Sequence, residues 1–141
     1  MPILKLKPAC KDYLWGGSKL REEYNISSDL HPLAEAWVLS CHPESPSVVE
    51  NGPDAGLTLP RYIEKHGREV LGKNCARFED FPILVKFIDA KGDLSIQVHP
   101  DNAYALEHEG QYGKTEMWYV LEAVPGAFLY YGFKRPITKE E

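Results

Sequence analysis

Three polar side chains of types that bind metal ions interrupt two apolar stretches late in the chain. Gln97 and His99 lie two residues apart in "LSIQVHP", and Glu116 follows seventeen positions after His99 in "TEMWYV". Side chains two apart on a strand share one face, so an extended stretch aims Gln97 and His99 the same way. Their nitrogen and oxygen donors suit Zn²⁺, and also Mn²⁺, Fe²⁺ or Co²⁺. Spacing alone leaves open whether the three converge on one ion or each satisfies a separate hydrogen bond.

Two lysines accompany these residues. Lys86 stands between Val85 and Phe87 in the apolar stretch "FPILVKFIDA". A lysine in a buried strand must find a partner or lose its charge, unless it reaches solvent at the strand end. Lys114 precedes Glu116 by two residues. It faces the same way as Glu116 if the strand begins there, and it is a solvated turn residue if the strand begins later.

The elements that must position these side chains are predominantly strands. Eleven prolines and eleven glycines are spread through the chain, and they separate short stretches rich in β-branched and aromatic residues. The pattern favours a β-sandwich or barrel with a short helical insertion. Helical spacing is confined to "TLPRYIEKHGREVLG", where Gly72 is the predicted C-cap, and to a short helix or loop in "NAYALEHEGQYG". The predicted strands lie at 33–42, 81–90, 94–100, 115–124 and 127–133, and a further short strand followed by a tight turn is predicted in "PSVVENGPDAG".

Composition excludes several classes of protein. The 141 residues fit one domain, and the net charge of −5 comes with no basic stripe of the kind that binds nucleic acid or an anionic membrane. No stretch approaches the about 20 apolar residues of a membrane-spanning helix, and the N-terminus lacks the apolar run of a signal peptide. Cys10, Cys41 and Cys75 are odd in number and widely spaced, which indicates reduced thiols and a cytoplasmic protein.

Four stretches carry a resemblance to a known family. "KDYLWGGSKL", "AEAWVLSCHP", "FPILVKFIDAKGDLSIQVHPDN" and "GKTEMWYVLEAVPGA" resemble successive signatures of type I mannose-6-phosphate isomerases, which are metal-dependent members of the cupin superfamily. The resemblance extends from Lys7 to Gly132, and the short separation of His99 and Glu116 is similar to the compact bacterial branch. It implies a mainly β, cupin-type jelly roll, a partial barrel, with residues 1–141 as a single cupin-like domain.

The resemblance also implies a site and a reaction. Gln97, His99 and Glu116 match the family's zinc ligands, while Lys86 and Lys114 match active-site lysines that serve as acid/base groups or phosphate contacts. The implied reaction interconverts mannose 6-phosphate and fructose 6-phosphate through a cis-enediol. The remaining members of the family signatures are expected to be scaffold or pocket wall: Glu35, Trp37 and His42. A solvated position is expected for His108.

The family's fourth zinc ligand is a histidine on a later strand, so the resemblance implies the N-terminal part of a longer enzyme. We therefore expect a chain that pairs with a second copy through open strand edges and is inactive alone. The alternative is a non-catalytic cupin module that binds a sugar phosphate or a metal ion. A metal-dependent oxygenase is a further use of the fold, but it has no need of two lysines beside its metal.

Overall fold

The structure is a computed structural model that describes residues 3–138. It contains two compact units, one ending at Leu94 and the other beginning at Ser95. The strands of the first unit are β1 Leu6–Lys7, β2 Ala9–Lys11, β3 Glu35–Leu39, β4 Val48–Val49 and β5 Val85–Ile88. Its helices are α1 Lys19–Glu22 and α2 Leu59–His66, with 3-10 turns at Arg68–Leu71 and Lys73–Cys75. The second unit contains α3, Asn102–His108.

The first unit is built on two small antiparallel sheets. One sheet has the order β2-β3-β5, and the other pairs β1 with β4. In the larger sheet Ala36 lies opposite Cys10 on one side and Phe87 on the other. This apolar face packs on the core, in which Leu20, Leu33 and Ala36 are buried. The alternating residues, including Glu35, Trp37 and Lys86, therefore occupy the opposite face.

A glycine turn closes one end of this sheet. Gly16 forms an isolated bridge with Ala90, and Gly17 forms one with Leu33. A Cβ atom on Gly16 would lie 2.6 Å from the Cα of Ala34, a separation that no side chain tolerates. Glycine is therefore required at Gly16 by close backbone approach.

Helix α2 is shorter than its sequence pattern predicted. It begins after Thr58, an N-cap with extended backbone, and has a proline in its first turn. It ends at Gly67, whose φ of 83° lies in the left-handed region that glycine adopts without strain. The predicted C-cap Gly72 instead ends the following 3-10 turn. None of the helices among residues 3–138 is long and apolar enough to cross a membrane.

The second unit departs from the predicted strand pattern. Stretches 94–100, 115–124 and 127–133 were predicted as strands, but no strand is formed by the described residues beyond Ile88. Strand formation requires a neighbouring backbone that satisfies the N–H and C=O groups, and a residue pattern cannot supply it. Apolar side chains along these stretches are consequently exposed: Ile96 by 80%, Val98 by 82% and Met117 by 89%.

Asp54 connects the turn after β4 to the last turn of α2. Its side chain is only 8% exposed and accepts a hydrogen bond from Nζ of Lys65 at 2.6 Å. Its other oxygen lies 2.7 Å from Nε2 of His66. The hydrogen bond from Lys65, followed by that of His66, outweighs the effect of burial and lowers the pKa of Asp54.

We expect Asp54→Asn to lower the free energy of unfolding at neutral pH. Because the pKa of Asp54 is lower in the folded state, its contribution is present above the unfolded pKa of about 3.9. That contribution is lost as the pH falls through the folded pKa. Urea unfolding from pH 7 downward should therefore show a wild-type advantage that shrinks below about pH 4.

The matched control for this measurement is Glu64→Gln, which breaks an exposed ion pair with Arg61 on the same helix. Exposed pairs of this kind contribute little, so we expect the control to unfold at nearly the wild-type urea concentration. A difference between wild type and Asp54→Asn that stays constant from pH 7 to about pH 3 would contradict the role assigned to this carboxylate.

Candidate active site

Three of the predicted site residues come together in the second unit. Nε2 of His99 lies 3.0 Å from Oε2 of Glu116, and Nζ of Lys114 lies 2.7 Å from Oε1 of the same carboxylate. The side chain of Glu116 is 29% exposed and that of His99 is 25% exposed. One carboxylate thus bridges a candidate ligand and a candidate acid/base group.

The backbone after α3 folds back against the residues at the start of α3. The Asp101 side chain caps α3 by accepting a hydrogen bond from the backbone N–H of Tyr104 at 2.9 Å. The backbone N–H of Gly113 donates to Oδ1 of Asn102 at 3.0 Å, which joins the end of the loop to the start of α3. A Cβ atom on Gly113 would collide with the backbone of Asp101 and of its predecessor. This close return places positions 114–116 beside His99.

Opposing effects act on the Glu116 carboxyl group. Burial favours its neutral form, but the hydrogen bond and charge of Lys114, together with His99, more than offset this and lower the pKa of Glu116. Glu116 is therefore a carboxylate at neutral pH, which is the form that binds a cation.

His99 and Glu116 carry donor types that a shared metal ion would need. Nitrogen and oxygen ligands at about 2.1 Å from zinc in tetrahedral geometry lie about 3.4 Å from each other. The observed separation of 3.0 Å between Nε2 and Oε2 is shorter and is a hydrogen-bond distance, so the two groups would have to move slightly apart to share an ion. The Gln97 amide donates through Nε2 to Oγ of Ser95 at 2.9 Å, so the atom used is not the Oε1 that would bind a cation.

His99 and Glu116 are therefore placed together, and the role of all three residues as metal ligands stays a prediction. Across residues 3–138 no group of three or more His, Cys, Asp or Glu side chains is placed to hold a metal ion. His108 has a different environment, because its Nδ1 lies 2.9 Å from the backbone oxygen of Tyr104 and its ring stacks on the Tyr104 ring at 4.0 Å.

Lys86, in the first unit, is paired with a buried carboxylate. Its Nζ lies 3.1 Å and 3.3 Å from the two carboxylate oxygens of Glu35, and Nε1 of Trp37 donates to Oε2 of Glu35 at 2.7 Å. The side chains are 20% exposed for Lys86 and 7% for Glu35. Glu35 was expected to be scaffold or pocket wall, and its pairing with Lys86 was not predicted. The sequence did carry one sign of this pairing, because a lysine in a buried strand needs a polar or charged partner.

A sequence profile for "phosphomannose isomerase type I, catalytic domain" matches residues 3–120. The mannose-6-phosphate isomerase of Streptococcus mutans is 46% identical over 128 residues, which are 91% of this chain and 39% of that protein. The mannose-6-phosphate isomerase ManA of Bacillus subtilis is 41% identical over 140 residues, covering 98% of this chain and 42% of that protein. The chain therefore belongs to the type I phosphomannose isomerase family.

Solved structures agree with this membership. The crystal structure of the mannose 6-phosphate isomerase from Bacillus subtilis superposes with a TM-score of 0.70 at 43% identity, over 78% of this chain and 34% of that one. A zinc-bound mannose 6-phosphate isomerase superposes with a TM-score of 0.61 at 35% identity, over 72% of this chain and 26% of that one. The chain spans about two fifths of the length of the curated relatives above, at 39% and 42% of them.

We expect His99→Ala to abolish zinc binding, because it removes one of the two donors that already lie together. The measurement is elemental analysis after the protein is stripped with a chelator, exposed to one equivalent of Zn²⁺ and dialysed. The control is His108→Ala, which removes a histidine engaged on α3 and should leave the zinc content unchanged. Full zinc content in His99→Ala, or loss of zinc in His108→Ala, would place the metal elsewhere.

Proposed function

We propose that this chain carries the metal-binding part of an aldose-ketose isomerase that interconverts mannose 6-phosphate and fructose 6-phosphate through a cis-enediol. The observation that carries the proposal is the convergence of His99, Lys114 and Glu116 in a member of this family. The reaction moves a proton between C1 and C2 of the sugar, so it needs a cation near the oxygens and a base near the carbons.

The proposed cofactor is one Zn²⁺ bound by Gln97, His99 and Glu116. Imidazole nitrogen, amide oxygen and carboxylate oxygen are donors that zinc accepts, and the carboxylate is already ionised. When bound, the ion supplies Lewis-acid polarisation of an oxygen and orients the sugar. A fourth protein ligand is not among the predicted residues of this chain.

The proposed proton-transfer and phosphate-binding groups are Lys86 and Lys114. Both are amines held by a carboxylate within hydrogen-bond distance, Lys86 by Glu35 and Lys114 by Glu116. A base must lie within reach of the proton that it removes, and the same group returns that proton to the neighbouring carbon. Kinetic comparison of variants that each lack one of these lysines distinguishes an acid/base group from a phosphate contact.

We further propose a cupin-type jelly roll over residues 1–141 as a single domain in a cytoplasmic protein. The proposal is supported by the likeness to the isomerase structures, at TM-scores of 0.70 and 0.61, and by the sheets of the first unit. The apolar stretches 94–100, 115–124 and 127–133 would be strands of this barrel once paired.

A non-catalytic cupin module that binds a sugar phosphate or a metal ion is the second candidate. It is favoured by one observation: the ion pairs of the second unit join only two of the three predicted ligands, His99 and Glu116. Such a module would bind Zn²⁺ and mannose 6-phosphate without converting the sugar. Turnover therefore separates the two candidates.

We expect Lys86→Ala and Lys114→Ala each to lower kcat/KM for mannose 6-phosphate by on the order of 10²-fold, as for loss of an acid/base group or of a hydrogen bond to the charged phosphate. A fall in kcat assigns proton transfer, and a rise in KM alone assigns phosphate binding. The assay is run on the complete natural protein loaded with Zn²⁺. The control is Lys19→Ala, which removes an exposed lysine paired with Glu23. Wild-type rates for both site variants would reduce these lysines to scaffold.

We also propose that this 141-residue chain associates with a second copy through its exposed apolar stretches. Met117 and Tyr119 are 89% and 81% exposed and alternate with Glu116 and Trp118 along the chain. Exposed apolar stretches with unpaired backbone favour pairing with another chain.

Sedimentation velocity of the 141-residue chain should show a dimer, and the double variant Met117→Ser/Tyr119→Ser should shift it toward monomer, because that change removes apolar surface from the proposed contact. The control is Leu14→Ser, which removes an apolar side chain that is 98% exposed in the first unit. A compact wild-type monomer that unfolds cooperatively would exclude this association.

A further inference from the structure

The register of the larger sheet places a carboxylate, an indole and an amine on one face. Lys86 of β5 lies directly opposite Trp37 of β3, and Glu35 lies two residues before Trp37. Directly opposite residues of an antiparallel pair share a face, as do alternate residues of one strand. The side chains of Glu35, Trp37 and Lys86 therefore meet without any contribution from a loop.

Each of these three side chains restricts another. The carboxylate of Glu35 accepts from Lys86 through both oxygens, at 3.1 Å and 3.3 Å, and from Nε1 of Trp37 at 2.7 Å. Trp37 thereby fixes the orientation of the carboxylate that Lys86 meets. Nζ of Lys86 also lies 5.3 Å from the centroid of the Trp37 ring, within the range of a cation–π contact.

Glu35 and Lys86 are largely buried, so each charge depends on the other for stabilisation. Glu35 is 7% exposed and Lys86 is 20% exposed, so removal of either partner leaves a charge in a largely desolvated position. A lysine side chain has four rotatable bonds, and its free form samples many rotamers. The fixed carboxylate and the indole ring remove that freedom before a substrate arrives.

We propose that Glu35 is a positioning residue for Lys86: the carboxylate, oriented by Trp37, holds the Lys86 ammonium as a fixed hydrogen-bond donor to the anionic substrate. This inference rests on the proposed isomerase function. An ammonium group has three donors and no lone pair. With one or two N–H groups directed to Glu35, at least one remains for an oxygen of the sugar phosphate. Lys86 then binds and orients, and proton transfer falls to another group.

A double-mutant cycle in kcat/KM tests the proposal on the complete zinc-loaded protein. Glu35→Gln keeps the size of the side chain and removes its charge, and we expect it to lower kcat/KM by about 10- to 100-fold, as for loss of a hydrogen bond to a charged group. Because Glu35 acts through Lys86, the same substitution in a Lys86→Met background should change kcat/KM by less than about twofold. Loss of positioning raises KM for mannose 6-phosphate, whereas a purely structural role would lower the fraction of folded enzyme and leave KM unchanged.

Trp37→Phe provides a second route that keeps both charges. It removes the indole N–H that orients Glu35 but retains an aromatic ring, and we expect a smaller loss, about 3- to 10-fold, that also disappears in the Lys86→Met background. If Glu35→Gln does not fold, this variant decides the question. The control is Lys11→Met, which removes another lysine over the same ring, at 5.2 Å, and should leave kcat/KM within about twofold.

A parallel cycle in urea unfolding distinguishes failure of this inference from failure of the proposed function. We expect Glu35→Gln and Lys86→Met to be strongly non-additive in stability, because each leaves the other partner uncompensated. An active wild type with additive losses in both cycles overturns the positioning role. An inactive wild type overturns the isomerase proposal, and the unfolding cycle then still decides whether Glu35 holds Lys86.

Discussion

The pairing of β3 with β5 is the constraint on which the first unit depends. Because side chains alternate along a strand, the register that sends Ala36 and Phe87 into the core also sends Glu35 and Lys86 to the opposite face. A slip of β5 by one residue would turn Lys86 toward the core and Phe87 away from it, which would leave a buried ammonium group without its carboxylate partner. Core packing and the charged group are therefore two results of one hydrogen-bonding register.

In the second unit, a partly buried charge is stabilised without a sheet. Glu116 carries a negative charge in a partly buried position, and the neighbouring His99 and Lys114 stabilise it. A cation that binds Glu116 and His99 would replace part of that stabilisation, so a positive neighbour such as Lys114 has to share the carboxylate with it. Metal affinity at such a site depends on protons released from its ligands as well as on the ligands themselves.

The sequence indicated some of these features and not others, for physical reasons. Local pattern was sufficient for β3, for β5 and for the start of α2, because apolar alternation and a proline in the first turn act over a few residues. The predicted end of α2 was wrong because either of two glycines, Gly67 and Gly72, could end a helix. The stretches after Ile88 have strand composition, yet a strand also needs a partner backbone, which composition does not specify.

The candidate site was likewise predicted only in part. His99 and Glu116 were predicted together from residue type and family resemblance, and the structure places them 3.0 Å apart. The pairing of Glu35 with Lys86 was missed because residues 51 positions apart meet only through strand register. A buried lysine signals that a partner exists, but the residue pattern does not name it.

The proposed binding of a sugar phosphate depends on the charges that surround the two lysines. With a net charge of −5, the long-range field of the chain repels an anion, so attraction has to come from local donors. Lys86 and Lys114 each lie against a carboxylate, and each pair is close to neutral at a distance. Such pairs offer directed N–H groups instead of net charge, and their contribution falls off steeply with misalignment. Selectivity would then depend on the geometry of donors that the carboxylates behind the lysines hold in advance.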